Sequence, residues 1–281
     1  MLRLTFMVVA VLAFAAGASA TELRLEGEFQ QGSLIRGHTA PGAKVTLGAR
    51  DVRVTPAGNF IFGFSWNAPE DAVLEVVLPD GTRERRSLRV AKRQYDEQRI
   101  DGLPDKMVSP PPEVLARIKA ENARIAKARA VDAPQPLYES GFVWPVTGPI
   151  TGIFGSRRIL NGQPRRPHFG VDIAAPEGTT VKAPADGVVV IADPDMYYTG
   201  GTIVLDHGHG LTSVYSHLGK VLVAEGDELR QGDPIGKVGH TGRVTGAHLD
   251  WRINWFDQRL DPALFVPPMP PTPPTPLTPA E

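Results

Sequence analysis

The chain has 281 residues and a formal net charge of −1, long enough for two modest cores and too evenly charged to be held to nucleic acid by a global basic field. Its 29 Gly and 27 Pro favour turns and short strands over long helices. There is no Cys, which excludes disulfides and a cysteine-linked lipid anchor.

At the amino terminus, Met1-Leu2-Arg3-Leu4 precedes an apolar run from Thr5 to Ala16 and a small-residue exit, Gly17-Ala18-Ser19-Ala20. A positive start, a short apolar stretch and an Ala-x-Ala exit predict a secretory signal peptide over residues 1–20. The run is shorter than the roughly 20 residues a spanning helix needs, so no membrane anchor is expected after cleavage. The expected location is the periplasm or cell envelope.

Residues 21–92 alternate apolar and polar side chains between turns such as Pro41-Gly42 and Asp80-Gly81. Short strands at that spacing predict an immunoglobulin-like β-sandwich. A connector, 93–135, follows without clear period, and within it a helix is expected over 112–131 because proline suits the first helical turn. Val114, Leu115, Ile118 and Ile125 would form its apolar stripe, and Arg117, Lys119, Arg124, Lys127 and Arg129 a solvated basic face. Residues 136–266 are glycine-punctuated β throughout. The proline-rich tail, 267–281, cannot pair as a strand and is expected to be an extended spacer. A protein partner would meet the amino-terminal domain or this tail.

The residues that carry chemistry fall in three strand-like segments: Pro167-His168-Phe169-Gly170-Val171-Asp172, Ser213 to Leu218 around His217, and Thr245 to Asp250 around His248. His248 and Asp250, at i and i+2 of a strand, point to one face while Leu249 packs behind them. Imidazoles and carboxylates on one sheet face are what a divalent metal with an open position needs, so a metal-dependent hydrolase is expected. No His-Glu-x-x-His motif is present, so histidine must act as the base. His207 and His209, in Asp206-His207-Gly208-His209-Gly210, read as turn residues, as does His240; His38 reads as a surface residue.

Taken together, Gly152-Ile153-Phe154-Gly155, His168-x-x-x-Asp172, Ala183-Pro184-Ala185-Asp186-Gly187, Tyr215-Ser216-His217-Leu218 and Gly239-His240-Thr241-Gly242 resemble the lysostaphin/LytM-type zinc metallopeptidases from about Trp144 to Phe265. The resemblance implies a two-sheet β domain with a groove, one Zn2+ per chain and peptidoglycan stem peptides as substrate. It implies His168, Asp172 and position 250 as metal ligands, and His217 and His248 as the catalytic pair. Position 250 departs from the pattern, being Asp where the family has His. A second carboxylate makes the centre less positive, acidifies bound water less, and lowers the preference for zinc over manganese or magnesium. Two functions follow: a peptidoglycan endopeptidase, or a catalytically silent LytM-type module that binds wall or activates a separate amidase. A biotinyl- or lipoyl-like carrier is disfavoured, because Lys182 lies inside a strand pattern rather than at a hairpin tip. The stretch from Ser156 to Pro167 reads as a basic loop at the groove, in which Arg165 and Arg166 are candidates for holding substrate carboxylates.

Overall fold

The computed structural model describes residues 23–270. The expected signal peptide, residues 1–20, lies outside the described residues, as do residues 271–281 of the proline-rich tail. The protein is mainly β, as expected.

Seven strands make the amino-terminal half: β1 (Arg24–Glu26), β2 (Leu34–His38), β3 (Lys44–Leu47), β4 (Arg50–Val52), β5 (Asn59–Gly63), β6 (Asp71–Val77) and β7 (Arg83–Arg89). They form two antiparallel sheets, in the orders β1-β2-β5 and β4-β3-β6-β7. Period-two alternation sorts their side chains: Leu74 and Val76 are fully buried, while Glu75 between them faces Arg85 at 3.4 Å. Ile35, Val45, Phe60 and Phe62 belong to the same buried cluster. At the sheet edge, β7 carries Arg83, Arg85, Arg86 and Arg89, charges that discourage pairing with another chain.

The connector is more structured than its sequence suggests. It contains β8 (Glu97–Ile100), a short α1 (Asp105–Val108) and α2 (Pro112–Arg129). Ile125 and Ala128 of α2 pack on Ile191, Met196, Val204 and Val214, whereas Leu115 is exposed and takes no part in the expected stripe. Two members of the expected solvated basic face are paired instead: Arg117 with Asp195, and Arg124 with Asp193 and Glu225.

The carboxy-terminal half follows with β9 (Ile150–Gly152), β10 (Arg157–Leu160), β11 (Gln163–Pro164), β12 (Val171–Ala174), β13 (Thr180–Lys182), β14 (Gly187–Met196), β15 (Gly200–Asp206), β16 (Leu211–Val221), β17 (Glu228–Leu229), β18 (Pro234–Val238), β19 (His248–Trp255) and β20 (Gln258–Leu260). Its main ladder runs β17-β14-β15-β16-β19-β12-β9, and β16 branches beyond a register shift to pair with β18, which pairs with β13. The expected basic loop is largely the β10–β11 hairpin, turning at Asn161 and Gly162, and β8 adds to it in parallel. The two halves are joined by buried contacts. Arg93 binds the buried carboxylate of Asp261 at 2.8 Å, and the Leu260 side chain fills the space above Gly63, where a Cβ would come within 2.7 Å of it.

Candidate metal centre

Strand pairing builds the site. On β19, Leu249, Trp251, Ile253 and Trp255 point into the core, which turns His248, Asp250 and Arg252 to the other face. Asp172 on β12 is the direct cross-strand partner of Asp250, and Ala174 of His248. Val214, on the opposite neighbour β16, pairs with Arg252 and packs with Ala128 of α2, so the site and α2 share one sheet face. His217 sits near the β16 register shift with φ 68, a left-handed backbone uncommon for a non-glycine residue, held by its amide bonding Thr199 O at 2.7 Å.

The residues singled out from sequence converge here. His168, Asp172 and Asp250 are buried and offer ligand atoms within 4.8 Å of one another. His168 Nε2 lies 3.0 Å from Asp172 Oδ1, yet His168 Nδ1, His168 Nε2 and Asp172 Oδ1 are all buried without a hydrogen-bond partner. Such orphaned atoms are costly unless a further group satisfies them. An imidazole nitrogen beside carboxylate oxygens is a donor set for a divalent cation, so these residues fit a metal. His217 Nε2 stands 4.0 Å from Asp250 Oδ2 and His248 Nε2 3.8 Å from Asp172 Oδ1. Each of these rings directs Nδ1 to a carbonyl, Thr241 O for His217 and Gly246 O for His248, both at 2.9 Å. With Nδ1 directed at a carbonyl, each ring turns Nε2 toward the cluster.

Two arginines complete the electrostatics. Arg158 Nη2 binds Asp172 Oδ2 at 2.6 Å, and Arg252 grips both oxygens of Asp250. Burial, the largest single influence, raises the Asp250 carboxyl, but Arg252, His168 and His217 together outweigh it and hold the group well below the usual carboxylate range. His217 is pushed down to about 4, chiefly by burial, with the nearby Asp250 opposing. A cleft of about 150 Å³ opens on Asp172, His217 and His248, with Arg158 and Arg243 among its lining; Gln98, Ile100 and Leu103 of the connector also line it.

Arg165 and Arg166 do not line that cleft. Arg165 Nη2 donates to Val108 O at 2.8 Å and to Gln163, and Arg166 is exposed beside it. Sequence reasoning gave no role to Arg252, although the alternation that paired His248 with Asp250 extends to it. His207, between Asp186 O and Ser213 Oγ, and His209, against Tyr138, lie outside the cluster.

Residues 166–262 match the model of peptidase family M23, so the chain carries a domain of that family. Over 105 residues it is 44% identical to the peptidoglycan DD-endopeptidase ShyA of Vibrio cholerae, a match covering 37% of this chain and 24% of ShyA. Over 119 residues it is 39% identical to the murein hydrolase activator EnvC of Escherichia coli, covering 42% of this chain and 27% of EnvC. The chain thus spans about a quarter of the length of these curated relatives. A crystal structure of an M23 protein from Pseudomonas aeruginosa superposes with a TM-score of 0.67 at 28% identity, covering 85% of this chain and 95% of that one. That likeness reaches beyond the family-matched residues into the amino-terminal half.

Proposed function

We propose that this chain is an exported, metal-dependent peptidoglycan endopeptidase that hydrolyses peptide bonds in cell-wall cross-links. The carrying observation is the set of buried, partnerless donors on His168 and Asp172 beside Asp250. Similarity to ShyA supports the substrate. His168, Asp172 and Asp250 would hold one divalent cation, zinc by family habit. When bound, such an ion supplies Lewis acidity toward a carbonyl oxygen and acidifies water. His217 and His248 present Nε2 as proton acceptors on the same side, suited to general-base work and to steadying charge on a tetrahedral oxygen. Arg165 and Arg166, outside the cleft, would meet carboxylates of the stem peptide. The signal peptide at 1–20 would deliver the chain to the cell envelope.

The test is muropeptide release from purified sacculi by the mature chain, with and without chelator. Cross-link cleavage that depends on metal and is lost in His217→Ala supports the reading. A folded, metal-loaded chain that releases nothing refutes it.

A second reading has its own observation: both carboxylates already carry a guanidinium, Arg158 on Asp172 and Arg252 on Asp250. A site so neutralised suits a silent module that activates an amidase, and the similarity to EnvC fits that use. Stimulation of a purified amidase by a chain that itself cuts nothing would favour it.

A further inference from the structure

Asp250 puts a negative charge where the family resemblance places a neutral imidazole, and a positive charge stands two residues away on the same strand face. Arg252 Nε lies 2.9 Å from Asp250 Oδ1 and 3.1 Å from Oδ2, and Nη2 bonds Oδ2 as well. The space for this pair is reserved by the backbone. A Cβ at Gly170 would lie 2.6 Å from both Arg252 Cγ and Asp250 Oδ1, so the first motif must carry a residue without a side chain there. Each carboxylate oxygen has two lone pairs, so a guanidinium on one side leaves others directed toward His168 and Asp172. Arg158 is engaged with Asp172, which leaves Arg252 as the guanidinium paired with Asp250.

We propose that Asp250 and Arg252 work as one unit standing in for a single neutral histidine, with Arg252 the positioning residue that sets the charge a cation meets. This rests on the metal-centre reading above. It explains how a carboxylate occupies an imidazole position without changing the charge of the site. It also has an unexpected consequence: restoring the family's histidine by itself damages the site, because it leaves Arg252 uncompensated beside a dication.

The experiment uses the full mature chain, freed of metal, as wild type, Asp250→His, Asp250→His/Arg252→Gln, Arg252→Gln and Arg252→Lys. Zn2+ and Mn2+ affinities are measured by calorimetry with chelator competition, and folding by circular dichroism. Wild type and the double variant are expected to bind Zn2+ within about tenfold of each other, and Asp250→His alone on the order of a hundredfold more weakly. Arg252→Lys keeps the wild-type Zn2+ affinity within about tenfold, whereas Arg252→Gln, its site one charge more negative, binds both dications more tightly, on the order of a hundredfold. A folded Asp250→His that binds Zn2+ as tightly as the double variant overturns the unit while leaving the metal centre standing. Should Asp250→His fail to fold, the Lys and Gln variants decide: indistinguishable Zn2+ affinities overturn the proposal. A folded wild type that binds neither ion removes the peptidase reading itself, and the unit with it.

Discussion

Asp172 and Asp250 are direct cross-strand partners on β12 and β19, two buried carboxylates on one face of an antiparallel ladder. Like charges so placed repel. The fold answers with Arg158 on one and Arg252 on the other, and with His168 Nε2 3.0 Å from Asp172 Oδ1.

Removing Arg158 should therefore expose that repulsion. Arg158→Gln is expected to destabilise the metal-free protein by about 3 kcal/mol, the usual cost of stripping one partner from a largely buried pair. Denaturant titrations with and without Zn2+ check it. The cation should recover more stability in the variant than in wild type, since it relieves the same repulsion.

Metal should also stabilise the wild type by mass action. At a free Zn2+ concentration of about a hundred times Kd, the gain is about 2.7 kcal/mol. Thermal melting across a zinc series reads it directly, and Mg2+ at the same ratio to zinc's Kd should do much less.

The pH dependence of stability has a separate source in His207. Its ring is fully buried between Asp186 O and Ser213 Oγ, and burial pushes it down to about 4 from 6.5. The folded chain refuses the proton that the unfolded chain accepts, so this contribution is intact above pH 6.5 and is lost as pH falls toward 4. The slope in that window is up to about 1.4 kcal/mol per pH unit from this one group. Urea unfolding of His207→Gln between pH 4.5 and 7 should give a flatter profile, at lower stability near neutrality.

Arg165 and Arg166 separate cleanly by their contacts. Arg166→Ala should weaken binding of stem peptides bearing free carboxylates, and leave carboxylate-amidated peptides unchanged. Arg165→Ala should also loosen the hairpin's hold on the Val108 carbonyl, lowering stability by about 1 kcal/mol. Equal binding of both peptides by both variants would discard the carboxylate role.

Much of the site was legible because strand alternation is a local rule. It placed His248 and Asp250 on one face before any pairing was known, and the family motifs pointed to His168 and Asp172. The same rule reaches Arg252, but a guanidinium is not a metal ligand, so the strand pattern alone does not mark it as part of the site. Arg158 was harder to read: its role depends on β10 meeting β8 from the connector, a parallel pairing between segments some sixty residues apart that leaves no local period. Arg117 and Arg124 looked solvated for a similar reason, since Asp193, Asp195 and Glu225 come from distant turns and strand ends.

His168, Asp172 and Asp250 are expected to hold a cation between them. Crystals of the mature chain soaked in Zn2+, with anomalous data collected on both sides of the zinc edge, test it most directly. One strong anomalous peak is expected within bonding distance of all three side chains, with Arg252 still on Asp250. A clean map with no peak there, in a protein otherwise folded as described, contradicts it.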